Sequence, residues 1–429
     1  MTDIADLPAM AAQDVHRPYL HIHPRHGWLN DPNGLVRIDG TYHVFYQHNP
    51  VAPVHADICW GHVSSPDLLH WTEEPVALAP RPDGPDRGGC WSGCLVDDTG
   101  TPTAVYTGVR SSSRDAGVLL ARSDRSLRSW AGESAWAVGT PDDPRISDVR
   151  DPFVFTFEGR RYAVQGAGHV AGEPQLLLYG CDDLTAWTEL GPLLTTEDPV
   201  AAAVAAANIW ECPNVVRLGD SWVIILSLWR DHVLSGVRYL VGDLVPHGDG
   251  LRFAARSGGV LDAGPTFYAP QALVEHDRVL IWGWAWEGAE RTAEEVERAG
   301  WSGTLTSPRE LRLVDDVVTS HPARELVGLR RERIETPERP FELAAFELTA
   351  SAAFELALVG VDGQRRVVVD NPGAGQLLVD GSLVEVFSGE QSSTTRAYRR
   401  AEERWQVSVA GPSELWRLGL DAGRVHRPR

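Results

Sequence analysis

The chain has 429 residues, 43% of them hydrophobic, which is enough for two domains with substantial cores. Its formal net charge of −20 argues against a nucleic-acid partner or an anionic membrane surface, because both require a basic protein face. The sequence contains no lysine, which excludes chemistry that depends on a Schiff-base or P-loop lysine.

The N-terminal residues and the cysteines bear on the compartment. Residues 1–18 are expected to form a leader, and residues 1–13 lack the basic and apolar regions of a secretory signal. No run of about 18 apolar residues occurs, so no membrane span is predicted. The cysteines are odd in number and form no zinc-type pair: Cys59, Cys90, Cys94, Cys181 and Cys212. Free, buried thiols in a reducing compartment are expected, which predicts a cytoplasmic protein.

Three histidines follow the leader in the order His-x-His-x-x-His. They are His21, His23 and His26. Histidine nitrogens bind zinc and related metals, but the segment offers no neighbouring carboxylate or cysteine to complete a ligand set. We therefore predict no metal site.

A repeat of about 60 residues organises most of the chain. Asp31 lies in an Asp-Pro-Asn-Gly segment, which by itself is a turn signal. Steps of 60 residues from Asp31 reach four further unusual positions: Trp91, Asp151, Glu211 and Gln271. Leu-x-x-Trp segments that end at Trp71, Trp130 and Trp187 show a similar spacing. A period of this length is typical of β-propeller blades.

The predicted fold is all-β, with a five-bladed β-propeller over residues 19–320. Alternating segments such as residues 41–47 and the apolar run 222–226 supply strands. The innermost strand of a blade is an edge strand, which tolerates proline. The period therefore predicts that Asp31, Asp151 and Glu211 meet at one end of the channel. The alanine-rich run 200–207 is expected to pack, and the charged insertion 287–298 to form a solvated loop.

The composition changes after about residue 313. Fourteen of the sixteen tryptophans lie before residue 302. Residues 323–333 are predicted to form a short charged helix within a linker, residues 321–340. Short alternating segments from 341 to 429, such as 355–359 and 377–387, predict a small antiparallel β-sandwich.

The three carboxylates suggest chemistry on a glycosidic bond. Such cleavage requires one protonated carboxyl group and one ionised carboxylate, whose environments separate their pKa values. Glu211 lies between Trp210 and Cys212, an apolar setting expected to raise its pKa. Asp31 is expected to be ionised because Asn30 and backbone amides are near.

Other residues suit sugar binding. Asp151 follows Arg150 and is expected to stay charged and to bond ring hydroxyls. Gln47 ends a strand with an amide that suits a sugar hydroxyl. Tryptophans near the carboxylates offer faces on which a sugar ring can stack: Trp28, Trp91, Trp210 and Trp284. Most tryptophans are expected to fill the core between blades instead.

These motifs resemble glycoside hydrolase family 32, the β-fructofuranosidase, inulinase and levanase family. Trp-Leu-Asn-Asp-Pro-Asn-Gly at 28–34 is similar to the first family motif, and Arg-Asp-Pro at 150–152 and Glu-Cys at 211–212 are similar to the other two. The likeness extends to further segments along nearly the whole chain: residues 45–47, 60–62, 91–93, 268–271, 308–311 and 383–387.

The resemblance implies a five-bladed propeller followed by a β-sandwich, and a retaining mechanism through a covalent fructosyl-enzyme. It implies that Asp31 is the nucleophile, Glu211 the acid/base and Asp151 the transition-state stabiliser. It also implies the residues that hold fructose: Asn30, Gln47, Ser92 and Arg150. No cofactor is implied. His55 stands where the family often has a tryptophan that walls the sugar pocket, so the leaving-group preference does not carry over.

We expect the chain to release terminal β-linked fructose from sucrose or short fructo-oligosaccharides. Fructosyl transfer, exo-levanase or exo-inulinase action and sucrose 6-phosphate hydrolysis are alternatives on the same scaffold. A family 43-like arabinosidase, which inverts, and a non-catalytic sugar-binding propeller are alternatives of other classes. The expected partner is a small sugar, and the linkage preference and oligomeric state are left open.

Overall fold

The computed structural model describes residues 11 and 13–420, and β-strands make up most of this part of the chain. The helices with described ends are α1 (Pro199–Val204), α2 (Ala293–Ala299) and a 3-10 helix (Arg324–Leu329). No described helix has the length and apolar character needed to cross a membrane.

Five sheets follow one another along the first three quarters of the chain. Sheet 1 contains β1 (Gly27–Ile38), β2 (Thr41–Asn49), β3 (Cys59–Ser65) and β4 (Thr72–Leu78), with β20 (Trp301–Ser302) parallel to β1. Sheet 2 contains β5 (Gly89–Asp98), β6 (Thr101–Val109), β7 (Ala116–Ser123), β8 (Trp130–Gly132) and β9 (Val138–Gly139). Sheet 3 contains β10 (Ile146–Phe157), β11 (Arg160–His169), β12 (Pro174–Gly180) and β13 (Thr188–Thr195).

Sheets 4 and 5 continue this pattern. Sheet 4 contains β14 (Ile209–Leu218), β15 (Ser221–Arg230), β16 (Val233–His247) and β17 (Gly250–Asp262). Sheet 5 contains β18 (Phe267–Val274), β19 (Val279–Ala285), β21 (Thr304–Leu305), β22 (Arg309–Val314) and β23 (Val317–Pro322). Apart from β20, the strands of each sheet come from one continuous stretch of the chain and pair antiparallel, so each repeat of the sequence forms one sheet.

A β-bulge interrupts the first strand of every one of these sheets. Each bulge leaves two residues between paired positions, as register shifts show: Leu29/Pro32, Cys90/Gly93, Arg150/Phe153, Glu211/Asn214 and Tyr268/Gln271. The first unpaired residue has a positive φ in sheets 3, 4 and 5: Asp151 (61°), Cys212 (45°) and Ala269 (45°). A bulge re-aims side chains, so consecutive residues can turn toward one site.

The positions of the bulges show that the repeat is not strictly 60 residues long. Glu211 immediately precedes its bulge, Asp151 is the first unpaired residue, and Asp31 is the second. The three carboxylates therefore occupy three different positions of the repeat rather than one. The interval of 60 is an average over sheets whose bulges are displaced by one or two residues.

Side-chain hydrogen bonds join the five sheets in a closed series. The bonds run from Gly93 N to Asn33 Oδ1 (3.4 Å), Asp151 N to Thr107 Oγ1 (2.9 Å), Cys212 N to Asp151 Oδ2 (2.9 Å), Ala272 N to Asn214 Oδ1 (2.8 Å) and Leu35 N to Gln271 Oε1 (3.1 Å). These bonds link sheets 1–2, 2–3, 3–4, 4–5 and 5–1 in turn. The polar groups of the bulged strands are satisfied by the neighbouring sheet, which brings the bulges together.

The alanine-rich run forms α1 instead of a merely packed segment. Asp198 caps the helix, because its carboxylate accepts from Val200 N and Ala201 N, each at 2.9 Å. Proline begins the helix, where its missing N–H costs nothing. Alanine then has the highest helix propensity of any residue.

The charged insertion 287–298 is not the solvated loop that the sequence predicts. It contains most of α2, which a Thr292–Glu295 capping box begins and Gly300 ends. Glu287 and Arg291 before the helix are buried and paired at 3.0 Å. The charges of this segment are thus satisfied inside the protein, which a composition argument cannot detect.

Two further sheets enclose a separate core at the C-terminal end. Sheet 6 contains β24 (Arg330–Ile334), β25 (Ala345–Ala350), β28 (Gly375–Asp380), β29 (Leu383–Ser388), β30 (Gln391–Arg396) and β32 (Ser413–Leu418). Sheet 7 contains β26 (Phe354–Val359), β27 (Arg365–Asn371) and β31 (Arg404–Val409). Phe346, Leu356 and Trp405 are fully buried in this core.

The predicted helix over residues 323–333 is shorter than expected. A 3-10 helix ends at Leu329, and β24 begins at the next residue and pairs with β32. Pairing with a sheet outweighs the helix propensity of this charged segment.

The leader is partly packed. Residues 1–10 and 12 lie outside the described residues, but the Asp14 carboxylate accepts from Arg291 Nη2 at 2.6 Å and from Trp301 Nε1 at 2.9 Å. The ring of His16 contacts the Arg399 carbonyl oxygen at 2.8 Å. The end of the predicted leader is therefore bonded to the rest of the protein.

A buried ion network connects the N-terminal segment with sheets 4, 5 and 6. Arg309 donates from Nη1 to Asp262 Oδ2 at 2.7 Å and from Nη2 to Glu385 Oε1 at 2.6 Å. His21 contacts Asp380 Oδ2 at 2.7 Å and Glu385 Oε2 at 3.0 Å. Both nitrogens of His21 are thus engaged by carboxylates, and within the described chain no cluster of His, Cys, Asp or Glu suits a metal ion.

Protonated His21 is expected to make stability depend on pH. Although burial lowers it, hydrogen bonds to Asp380 and Glu385 raise the pKa of His21 to about 9 from its ordinary 6.5. A raised folded-state pKa means that the contribution is complete below pH 6.5 and is lost as the pH rises through 9. We expect urea unfolding to show a fall on the order of 3 kcal/mol across this window, since one pKa unit is about 1.4 kcal/mol. An equal fall in His21→Gln would contradict the assignment.

Candidate active site

An open pocket of about 1420 Å³ lies where the five bulged strands meet. Eleven of the twelve residues that the sequence analysis offered for catalysis or sugar contact line it: Trp28, Asn30, Asp31, Gln47, His55, Trp91, Ser92, Arg150, Asp151, Glu211 and Trp284. The twelfth, Trp210, is fully buried and does not line the pocket. The eleven lining residues come from sheets 1 to 5, so the pocket is assembled from the whole first part of the chain.

Cys212 lies between two of the carboxylates. Its thiol is 3.4 Å from Asp31 Oδ2 and 3.5 Å from Asp151 Oδ2, and its backbone N–H donates to Asp151 Oδ2 at 2.9 Å. Burial and the neighbouring carboxylates raise the pKa of Cys212 well above its ordinary value, so it remains a thiol that can donate. The sequence analysis placed Cys212 in a motif but gave it no role. All five cysteines are free, as predicted, and Cys212 is the partly buried one.

Asp31 is held by side chains rather than by the backbone amides that the sequence analysis expected. Its carboxylate accepts from Ser92 Oγ at 2.6 Å and from Asn30 Nδ2 at 3.0 Å. Burial nevertheless raises the pKa of Asp31 above its usual range, with these hydrogen bonds opposing the shift. Burial therefore outweighs the hydrogen bonds from Ser92 and Asn30 in setting the pKa of Asp31.

Burial also acts on Asp151. It raises the pKa of Asp151 to about 7, against the opposing charge of Arg150. The guanidinium of Arg150 does not bond Asp151, although the two are adjacent, because it turns to Glu211 and Asp148. The charge of Arg150 lowers the pKa of Asp151, as the sequence analysis expected, but burial outweighs it.

Glu211 is surrounded by donors, not by the apolar groups that flank it in sequence. Arg150 donates to Glu211 Oε1 from Nε at 3.0 Å and from Nη2 at 2.9 Å, and Tyr268 donates to Oε2 at 2.6 Å. Trp210 is fully buried elsewhere, with its indole N–H on the Ala205 carbonyl at 2.7 Å. Successive side chains of a strand point to opposite faces, so Trp210 is no neighbour of Glu211 in space.

A chain of amide and hydroxyl groups orients the polar side of the pocket. Trp28 Nε1 donates to Asn30 Oδ1 at 2.7 Å, and Asn30 Nδ2 donates to Gln47 Oε1 at 3.2 Å. Gln47 Nε2 donates to Ser92, whose hydroxyl donates to Asp31. Each group in this chain accepts a hydrogen bond from the preceding group, which fixes the direction in which it donates. The site is therefore preorganised before substrate arrives.

Aromatic rings form one wall of the pocket. Trp28 lies 5.6 Å from Trp284 and 6.1 Å from His55, and His55 lies 6.3 Å from Trp91, measured between ring centroids. All three contacts are edge-to-face, a favourable arrangement for aromatic pairs. His55 therefore continues the wall between Trp28 and Trp91. We call Trp28, His55, Trp91 and Trp284 the aromatic wall.

The pocket also contains residues that the sequence analysis missed. They are Ser113, Ser147, Asp148, Gly168, His169, Asn208, Ile209, Trp229, His232, Leu234 and Tyr268. Tyr268 could have been found, because it begins the Tyr-Ala-Pro-Gln segment at the fifth repeat position. Of the others, Ser147, Asp148, Asn208 and Ile209 lie at or just before the beginning of first strands. The remaining six come from second and third strands and the loops between them, which the period does not mark.

Tyr268 is expected to assist the site by holding Glu211. Burial and the Glu211 charge raise the pKa of Tyr268 well above its ordinary value, so its hydroxyl stays a donor. A hydrogen bond to a charged group contributes about 1.5–3 kcal/mol, so Tyr268→Phe should lower kcat about tenfold or more. Tyr179→Phe is the matched control, because the buried Tyr179 hydroxyl has no hydrogen-bond partner in the described structure. Equal rates in the two variants would refute this role.

Residues 21–322 match the profile described as Glycosyl hydrolases family 32 N-terminal domain. The chain belongs to glycoside hydrolase family 32. The resemblance drawn from the sequence motifs is thereby confirmed, and this family 32 protein is a glycoside hydrolase. The matched residues end with β23, at the close of sheet 5.

Curated and solved relatives agree with this assignment. The family 32 chain is 31% identical to a sucrose-6-phosphate hydrolase of Zymomonas mobilis, over 88% of this chain and 84% of that protein. It is 30% identical to a sucrose-6-phosphate hydrolase of Escherichia coli, over 94% and 95% of the two chains. It is also similar to a mutant Bombyx mori GH32 beta-fructofuranosidase in complex with sucrose, with a TM-score of 0.79, 25% identity and coverage of 97% and 96%.

Proposed function

We propose that this glycoside hydrolase releases terminal β-D-fructofuranosyl residues from sucrose or short fructo-oligosaccharides with retention of configuration. The observation that carries the proposal is the convergence of Asp31, Asp151 and Glu211 in one pocket, with Cys212 in contact with two of them. The names of the curated relatives and the sucrose complex of the similar Bombyx mori enzyme support a sucrose-type substrate.

In the first half-reaction, Asp31 attacks the anomeric carbon of fructose. The bond from that carbon to the leaving oxygen breaks, and Glu211 gives its proton to the leaving oxygen. The result is a covalent fructosyl ester of Asp31 and the free leaving sugar. In the second half, Glu211 takes a proton from water, the water oxygen attacks the anomeric carbon, and Asp31 is released.

The electrostatic attraction between the buried carboxylates and the sugar is strongest when positive charge develops on the sugar ring. Burial raises the pKa values of Asp31 and Asp151 in the free enzyme, so their anions are poorly solvated there. An oxocarbenium-like transition state supplies the missing positive charge. Interactions that strengthen only in the transition state are those that raise kcat. Asp151 acts in this way while it accepts hydrogen bonds from ring hydroxyls.

The remaining predicted residues hold the sugar. Asn30, Gln47, Ser92 and Arg150 bind fructose hydroxyls from the polar side. The aromatic wall offers apolar faces for the opposite side of the ring and for the leaving group. His55 changes the leaving-group end of that wall from the tryptophan of many relatives to a smaller, polar ring.

We further propose that sheets 1 to 5 are the blades of a β-propeller spanning residues 19–320. The closed series of hydrogen bonds between neighbouring sheets, four of them joining first strands, supports this arrangement. We propose that residues 1–18 are a leader, residues 321–340 a linker and residues 341–429 a β-sandwich, in which β24 from the linker adds to the edge of sheet 6. A cytoplasmic location belongs to the proposal on the ground that all five cysteines are free.

The other function classes are not favoured. An arabinosidase of the family 43 type and a non-catalytic sugar-binding propeller both conflict with the match to family 32 over residues 21–322. Fructosyl transfer and exo-action on levan or inulin use the same residues and differ in the acceptor or the length of the leaving group.

The test is fructose release from sucrose, 1-kestose and levanbiose by the wild type and by Glu211→Gln. We expect release by the wild type and a loss of about 10²–10⁴-fold in the variant, the usual contribution of a general acid. Circular dichroism controls for folding. A folded wild type that releases fructose from none of the three substrates would overturn the proposal.

A further inference from the structure

Glu287 stands out as a buried carboxylate that the proposed chemistry does not use. It follows β19 and is 8% exposed. Arg291 Nη1 donates to Oε2 at 3.0 Å, and Tyr398 donates to the same oxygen. Gly303 N donates to Oε1 at 2.7 Å. Burial of a carboxylate is costly unless it is paired and bonded, so this arrangement holds its neighbours firmly.

Two of the groups on Glu287 come from the C-terminal part of the chain. Arg396 lies at the end of β30 in sheet 6, and Tyr398 follows two residues later. Arg396 Nη1 is 3.7 Å from Glu287 Oε1 and also donates to the Ala285 carbonyl at 3.0 Å. Burial would raise the pKa of Glu287, but the charges of Arg396 and Arg291 lower it, so the carboxylate is ionised.

Gly303, whose N–H bonds Glu287, lies next to the aromatic wall. It follows Ser302, which pairs with Trp28 in the parallel β1–β20 contact. Gly303 has φ of +80°, and a Cβ on it would lie 1.9 Å from the Leu29 carbonyl oxygen and 2.9 Å from Trp284 Nε1. The segment that Glu287 holds therefore packs on the backbone of Trp28 and on the ring of Trp284.

We propose that Glu287 is a positioning residue through which Arg396 and Tyr398 fix the aromatic wall against the fructoside. The inference rests on the proposed function, because it concerns how that substrate is bound. It gives the C-terminal sheets a part in substrate binding, although none of their side chains lines the pocket. Because the wall contacts the substrate in the ground state and in the transition state alike, loss of its position raises KM more than it lowers kcat.

The Gly303 contact separates positioning from general stability. Glu287→Ala removes the acceptor for Gly303 N–H, whereas Glu287→Gln can keep an oxygen there. The glutamine amide nitrogen then replaces Oε2 and can donate to the Tyr398 hydroxyl, while the acceptor for Arg291 is lost. Both variants remove the negative charge that faces Arg291 and Arg396, so both are expected to lower the melting temperature. Only Glu287→Ala is expected to raise KM for sucrose, about tenfold, with kcat within about threefold of the wild type. The glutamine variant should keep KM within about threefold.

Glu310→Ala is the matched control. The Glu310 carboxylate is also largely buried and bound by an arginine, Arg278 Nη1 at 2.9 Å, but it lies on β22 and does not line the pocket. The Glu310→Ala substitution should lower the melting temperature and leave KM for sucrose unchanged. An unchanged KM in Glu287→Ala, or an equal rise of KM in Glu287→Ala and Glu287→Gln, would overturn the proposal.

Two further measurements keep the test decisive. If Glu287→Ala does not fold, Tyr398→Phe removes one donor, and its KM should rise while that of Tyr179→Phe does not; no difference between them would refute the proposal. Crystal structures of the two Glu287 variants show the position of the aromatic wall independently of any activity measurement. The Trp284 ring should be displaced in Glu287→Ala but not in Glu287→Gln. An inactive wild type would count against the proposed function alone, while an undisplaced Trp284 would count against the role of Glu287.

Discussion

Asp31→Asn is expected to lower kcat for sucrose on the order of 10⁴-fold or more, as loss of a nucleophile does in other covalent mechanisms. Asparagine occupies the same volume and can keep the contact to Ser92 Oγ, now 2.6 Å from the carboxylate, so binding should be largely retained. The loss should therefore appear in kcat, with KM within about tenfold of the wild type. Initial rates of fructose release measure both parameters.

Asp148→Asn serves as the control for Asp31. Asp148 lines the same pocket and has the same carboxyl side chain, but its bond is to Arg150 Nη1, at 3.3 Å. A change in the general field of the pocket would affect both variants alike, whereas loss of a nucleophile affects only Asp31. Comparable activity of the two variants would show that Asp31 forms no covalent bond with fructose.

Arg309→Met is expected to lower the free energy of unfolding by about 3–5 kcal/mol, the cost of removing one partner of a buried ion pair. The Arg309 side chain is fully buried between Asp262 and Glu385, at 2.7 and 2.6 Å. Methionine fills a similar volume but leaves both carboxylates without their cation. Because these residues lie on sheets 4, 5 and 6, the loss should destabilise the contact between sheets as well as the sheets themselves.

Arg324→Met provides the comparison at the surface. Arg324 is paired with Asp277 at 3.1 Å, but both side chains are about 60% exposed. Exposed pairs are screened by water and contribute little to stability, so the urea unfolding midpoint of this variant should be close to that of the wild type. Equal destabilisation by the two substitutions would mean that the buried network stabilises the protein no more than an exposed ion pair does.

The sequence predicts the strands and the convergence of the site because both follow from a repeat. Each repeat begins with a strand that carries proline or glycine near a polar residue, and this pattern survives insertions elsewhere. The exact position of each carboxylate within the repeat is not constant, since Asp31, Asp151 and Glu211 occupy different positions relative to their bulges. A bulge depends on pairing with the next strand, which spacing alone does not specify.

Electrostatic environments are predicted less well than positions. The flanking residues of Glu211 suggest an apolar site, but strand alternation sends Trp210 to the opposite face and brings in Tyr268 from 57 residues away. Arg150 is likewise adjacent to Asp151 in sequence and bonded to Glu211 in space. Neighbours along a strand are poor guides to a pKa, because a pKa depends on neighbours across strands.

Buried charges account for the remaining differences. The sequence of residues 287–298 predicts a solvated loop because five of its residues are glutamates and two are arginines. In the fold, its first glutamate accepts bonds from Arg291, Tyr398 and Gly303. Partners more than 100 residues away, such as Tyr398, leave no local signal. The same holds for His21, whose carboxylate partners Asp380 and Glu385 follow over 350 residues later.

The stereochemistry of fructosyl transfer to methanol tests the roles of Asp31 and Glu211 most directly. Sucrose is incubated with the wild type in dilute methanol, and the methyl fructofuranoside is identified by NMR before the products equilibrate. Two successive displacements, at Asp31 and then by methanol, predict the β-anomer. Formation of the α-anomer would show a single displacement and an inverting site. Absence of fructose release from sucrose by the folded protein would contradict the assignment of a fructosidase altogether.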